Sequence, residues 1–165
     1  MEDMTVKARI KKETKLPMLV AMVCIVVLIA SVFLPYFALN SDFQELADAM
    51  GGVPTSLYDF ALSLNEQGTP ALLLLLGIYG VSLLLAALLA LLRKPIGVMV
   101  FDLPPMGVAT LTHMIFANDG TMDSGMYTWG IADKLIFAVG AMLFGCAIWM
   151  LVAKVRAKKA AKKEV

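Results

Sequence analysis

Asp102 lies within an apolar run, in the segment Phe101-Asp102-Leu103-Pro104-Pro105, and no other residue of the chain is so strongly placed for chemistry. It stands seven residues after Pro95, so about 10 Å into the apolar layer at about 1.5 Å per residue. An acid at that depth costs about 2.5–3.5 kcal/mol on insertion scales and is a functional candidate by default. Pro104 and Pro105 cannot donate to the carbonyls of Val100 and Phe101. Nor can Asp102 cap a restarted helix, because the residues two and three positions on have no N–H. The result is a group of acceptors short of donors, which attracts a proton, a cation or donors from a neighbouring helix. Tyr79 and Ser82 lie at compatible depth on the preceding apolar run, and Arg93 or Lys94 could reach in from the connection. His113 follows Asp102 by about three helical turns, on the same face of an ideal helix with Met106 and Ala109 between. Such a stripe could line a proton or cation path. The preferred reading is a kinked helix, its Asp protonated or hydrogen-bonded to Tyr79, Ser82 or Lys94 and its His among headgroups.

Other reactive residues are few. Cys24 and Cys146 fall inside apolar runs at similar depth, and their thiols could meet if the first and last runs are antiparallel neighbours. Two thiols do not complete a zinc site, and no His lies at that depth. They are read as small packing residues. There is no H-E-x-x-H, G-x-S-x-G or P-loop, and no nucleophile beside a base. An intramembrane aspartyl enzyme needs two carboxylates sharing a proton, and Asp102 is alone in its run. No enzyme activity, cofactor or metal is expected.

The elements that position these residues follow from hydropathy and charge. Four apolar runs lie near 17–39, 70–92, 95–117 and 134–153, in a chain of 165 residues that is 60% hydrophobic with a mean hydropathy of +0.81. About 20 apolar residues suffice for a helix to cross the bilayer core. All of the 14 Lys and Arg residues except Lys134 fall into three clusters beside these runs. The clusters are Lys7 to Lys15, Arg93 with Lys94, and Lys154 to Lys163. The connections 40–69 and 118–133 hold no cation but carry Asp42, Glu45, Asp48, Asp59, Glu66, Asp119, Asp123 and Asp133. This asymmetry predicts both termini inside the cell. The first run, longer than a signal-peptide core and without an A-x-A site, is read as retained. The basic inner face suits an inner leaflet of anionic lipid, at about 1 kcal/mol per cation near the surface. Nucleic acid is not expected as a partner.

Within the runs, Pro17, Pro70 and Pro95 stand at helix starts, where a missing N–H costs nothing, and Thr69 is placed to cap the second. Tyr36-Phe37, Tyr127, Trp129 and Trp149 are read as interfacial aromatics. Helix packing is expected at small residues: Ser82, Ala86 and Ala90 on the second run, and Ala141 and Gly145 with Ala138 on the fourth. In the 40–69 connection, Ser41 and Gln44 have capping-box spacing, and Phe43, Leu46, Ala47 and Met50 form a stripe ending at Gly51-Gly52. A second helix starts at Ser56, with Asp59 three residues on and Leu57, Phe60, Ala61 and Leu64 as its stripe. Residues 42–50 and 57–64 are thus predicted to be helical.

The runs Phe33-Leu34-Pro35-Tyr36 and Ser56-Leu57-Tyr58-Asp59, with the Leu-rich second run closing on Arg93-Lys94, resemble those of small four-span bacterial membrane proteins. Many of these carry a cytoplasmic zinc ribbon before the first span, but no cysteine precedes Lys15 here. The resemblance implies a topology and a bacterial plasma membrane, and no reaction. The expected fold is all-α: a four-transmembrane-helix bundle over 17–153, with basic cytoplasmic segments at 1–16 and 154–165 and two short outer helices. The expected function is that of an accessory, assembly or scaffold subunit of a membrane complex, with a membrane-protein partner or self-association. The alternative is a small oligomeric conductor of protons or cations, using Asp102 and His113.

Overall fold

The computed structural model describes residues 2–49, 52–118, 120, 122–123 and 125–161. Among these are seven α-helices and one two-stranded sheet. In chain order they are α1 (Glu2–Glu13), α2 (Lys15–Ser31), β1 (Phe37–Leu39), α3 (Gln44–Ala49), α4 (Leu57–Glu66), α5 (Ala71–Leu91), α6 (Pro95–Asn118), β2 (Tyr127–Trp129) and α7 (Ile131–Ala161). Helices α5, α6 and α7 are each long and apolar enough to cross a membrane. The pair α1 and α2, bent by 45°, makes a fourth if counted as one span. The bend has a local cause: Pro17 has no N–H for the Glu13 carbonyl, so the ladder breaks there. At the bend the Thr14 hydroxyl donates to the Ile10 carbonyl at 2.7 Å, beside the Thr14 N–H bond to the same oxygen at 3.0 Å.

Helices α2, α5, α6 and α7 form a closed ring, each packed on the next, with α7 returning to α2. Their buried residues fall three and four apart. On α7 the seam is Ala132, Ile136, Val139, Leu143, Cys146, Met150, Ala153 and Ala157. On α6 it is Pro95, Val98, Asp102, Pro105, Ala109, Thr112 and Phe116. This 3.5-residue period is that of left-handed knobs-into-holes packing, and it drifts by about 20° per heptad from a straight helical stripe. Ser82, Ala86 and Ala90 lie buried on α5 as expected from their spacing. Ala141 and Gly145, with Ala138, do not: they are exposed on the outside of α7, off its seam. The small residue that makes the close approach there is Gly140, where any Cβ would collide with the Met106 sulfur.

Several boundaries differ from the hydropathy reading. The first apolar run reaches residue 39, but α2 ends at Ser31 and the chain then turns. Pro35 cannot continue a ladder, and the Tyr36 and Phe37 N–H groups go instead to the Thr55 carbonyl at 2.8 and 3.0 Å. From there β1 pairs antiparallel with β2, Ala38 opposite Thr128. Tyr36 and Phe37 are therefore fully buried, not interfacial. Phe37 meets Phe60, Phe116, Tyr127 and Trp129 edge-on or tilted, which closes the β1–β2 end of the bundle with aromatic rings. Thr69 does not cap α5; that position falls to Pro70, with no side-chain bond. The basic end segments, expected as tails, are helical as far as described: α1 packs against α7, and Ala157 near the end of α7 is fully buried.

The 40–69 connection holds two helices. Ser56 caps α4, accepting from the Asp59 N–H at 3.1 Å and donating its hydroxyl proton to the Asp59 carboxylate at 2.7 Å. Phe60 and Leu64 pack against the bundle. Ahead of α3 a 3-10 turn spans Ser41–Phe43, and Asn40 rather than Ser41 takes the cap position without a side-chain bond. The α3 stripe is only partly covered: Ala47 is buried but Leu46 is 51% exposed. Met50, Gly51, Asp119, Lys162 and Lys163 lie outside the described residues.

Candidate functional site

Asp102 occupies a seam position of α6 and is 1% exposed, so its carboxylate is enclosed by the bundle. α6 remains helical through Pro104 and Pro105. The two donors expected for it are on the facing helix: Tyr79 is 2% and Ser82 7% exposed. The Tyr79 hydroxyl, however, donates to the Leu28 carbonyl of α2 at 3.0 Å. This corrects the expected pairing, and the reason lies in how α2 ends. The last four carbonyls of a helix have no partner in the regular ladder. The Val32 N–H bonds Ile29 at 3.4 Å, so Leu28 must find a donor elsewhere. Ser31 supplies a second, at 2.6 Å. Lys94 is exposed at the α5–α6 turn, and the Arg93 carbonyl accepts from Lys154 at 3.4 Å. The Asp102 Oδ1 is left buried without a hydrogen-bond partner.

The thiols meet. Cys24 and Cys146 come within hydrogen-bonding reach of each other across α2 and α7, and Asp102 lies within electrostatic reach of Cys24. Both are free and buried. Among the described residues, no group of three His, Cys, Asp or Glu side chains is arranged to hold a metal ion. The centre of the bundle thus holds an acid, two thiols and a phenol, with the acid the only one short of a partner. Such a set can bind a proton or pack; it offers no activated nucleophile.

His113 does not join this set. The seam of α6 drifts past it onto Thr112, so His113 turns toward α7 instead of aligning with Asp102. Its Nδ1 lies 2.8 Å from the Asp133 carboxylate. Its ring stacks on Trp129, with centroids 4.1 Å apart and planes 19° from parallel, and meets the Phe137 edge. Asp133 sits in the first turn of α7 and is 6% exposed, where the helix dipole favours a negative charge. Beside it lies the buried Tyr36 phenol, within hydrogen-bonding reach of the Asp133 carboxylate. Burial first, and the Asp133 carboxylate second, push its ionisation far above the ordinary range. The His–Asp pair joins α6 to α7 beneath the aromatic cap.

Asp133, Trp129 and Tyr36 are the members that the spacing of residues did not single out. Asp133 read as one more outer-loop acid, and Tyr36 and Trp129 as interfacial aromatics. Asp133 could have been found from its place two residues after a helix start, facing the histidine near the end of the preceding span. The chain matches no known protein-family model, no curated protein and no solved structure.

Proposed function

We propose that this chain is a multi-pass protein of a bacterial plasma membrane, with both termini cytoplasmic, that acts through contacts as an accessory, assembly or scaffold subunit. The observation that carries this is the enclosure of Asp102: at 1% exposure it faces packed helices, where a conducting path would need a hydrated wall. The aromatic cluster over the outer end and the His113–Asp133 pair add closure rather than access. The cation-free outer connections and the basic ends support the orientation. A Cys at position 160, in a Cys24→Ser/Cys146→Ser background, is expected to stay unmodified by an impermeant reagent in intact cells. Labelling there would overturn the topology.

The second reading, proton or cation conduction through Asp102, is favoured by its unpartnered Oδ1. Vesicles reconstituted with the protein and placed under a proton gradient separate the two. The scaffold reading expects no flux above protein-free vesicles, and co-purification of a membrane partner in mild detergent. Flux that Asp102→Asn abolishes would replace it with conduction.

A further inference from the structure

At the opposite end from the aromatic cap, a groove of about 410 Å³ opens between the α5–α6 turn and the end of α7. One wall is Leu151, Lys154, Val155 and Lys158, spaced three and four apart on a single face of α7. The other is Lys94, Pro95, Ile96 and Gly97. The lining therefore combines an apolar floor with three ammonium groups at its rim, and includes no acid. Like charges gathered on one rim repel each other unless an anion lies between them.

Two further observations single out this place. Arg93, next to the groove, has φ 53, the left-handed region that glycine normally fills at a helix end. The turn is closed by the Lys94 N–H bonding to the Leu89 carbonyl and by the Arg93 N–H bonding to Ala90, both at 2.9 Å. A non-glycine residue held there points to a constraint beyond the turn itself. The strained turn aims the Arg93 carbonyl at Lys154, which donates to it at 3.4 Å and is thereby held at the rim. The Arg93 Nε is also buried without a hydrogen-bond partner.

We propose that this groove is a binding site for one anionic phospholipid, its phosphate held by Lys94, Lys154 and Lys158 and an acyl chain lying along Leu151, Val155 and Ile96. Charge complementarity selects the headgroup, and the apolar floor selects a lipid over a free anion. The site gives a defined position to the general attraction of a basic inner face for anionic lipid, and it rests on the proposed cytoplasmic placement of this end.

The test uses the full chain in mild detergent, where binding does not depend on topology, titrated with phosphatidylglycerol or phosphatidylcholine and followed by native mass spectrometry. The expected result is one retained phosphatidylglycerol, bound at least about tenfold more tightly than phosphatidylcholine. Lys94→Gln/Lys154→Gln/Lys158→Gln should remove about tenfold or more of that affinity. Lys7→Gln/Lys11→Gln/Lys12→Gln, an equal loss of exposed charge on α1, should change it less than about twofold. Val155→Trp should fill the groove and displace the lipid while leaving the lysines in place. Equal retention of the two lipids would overturn the site, as would equal losses in the two triple variants. Full competition by millimolar inorganic phosphate would reduce it to a free-anion site and overturn the lipid assignment. None of these outcomes touches the topology, which the position-160 label tests by itself.

Discussion

Two buried carboxylates, Asp133 at the aromatic-capped end and Asp102 in the middle of the bundle, meet the same cost in different ways. Asp133 has an imidazole at 2.8 Å and the start of a helix beneath it. Asp102 has one oxygen with no partner, and the nearest phenol is committed to another carbonyl. An acid left without donors is costly when charged, so Asp102 is best accommodated as a neutral packing element among Cys24, Cys146 and Tyr79. Asp133 is instead part of a polar and aromatic clamp that fixes how α6, β2 and α7 meet. Of these two acids, the one at the capped end thus builds structure and the one in the middle fills space.

That contrast can be broken most sharply at the cap. Gly130 donates to the Tyr36 carbonyl at 2.7 Å, and a Cβ on it would run into the backbone of Pro35 and Tyr36, which cannot swing aside as a side chain can. Gly130→Ala is expected to cost about 3 kcal/mol, read as a lowered unfolding temperature in detergent. An unchanged temperature would mean that the cap is not clamped there. His113→Ala comes next. It leaves the buried Asp133 without its partner and uncovers the Trp129 face, for a loss of about 1–3 kcal/mol. Adding Asp133→Asn should recover part of that loss, and a cycle of the two changes measures the coupling.

For the middle of the bundle the expected effects are small. Asp102→Asn should stay within about 1 kcal/mol of wild type, and Asp102→Leu should be neutral or stabilising, because an unpartnered polar group is replaced by an apolar one. If Asp102→Leu destabilises more than His113→Ala, the acid in the middle has a structural partner and the contrast fails. The smallest effect is expected at Leu46, exposed on α3, where Leu46→Ser should move stability by no more than about 0.5 kcal/mol.

Hydropathy and cation placement made the apolar helices and the α5–α6 hairpin legible, because lipid demands long apolar runs whatever lies between them. The two helices of the 40–69 connection were legible for a different reason: their acids and turn residues punctuate the sequence, and Ser56 with Asp59 forms its cap as spaced. The packing faces were not legible. In a soluble helix the polar side reveals the buried seam, but on α7 the lipid-facing Met142, Ile148 and Val152 are as apolar as the seam residues Leu143, Met150 and Ala153. Small residues were a fair guide on α5 and a misleading one on α7, where Ala141 and Gly145 face outward and Gly140 makes the contact. The strands escaped notice because three residues apiece carry no periodicity, and their partners are far apart in sequence. At the candidate site, Asp102 was found from its rarity and Tyr79 and Ser82 from their depth. The diversion of Tyr79 to Leu28 depends on where α2 stops, which no run of apolar residues marks.

The pairing of β1 with β2 bears on how the chain is made. Ala38 and Thr128 are separated by 90 positions, and α1, Cys24 and β1 all find their partners on or just before α7. The α5–α6 hairpin needs only its own neighbouring residues and can enter the bilayer as a unit while translation continues. One side of α2 and the Asp102 face of α6 have no packing partner until Ile131–Ala161 is in place. Contacts that span most of the chain form late and slowly. Docking of α7, Ile131–Ala161, closes the ring, seats both strands and shelters the Asp102 carboxylate together, so the bundle is completed by a single helix.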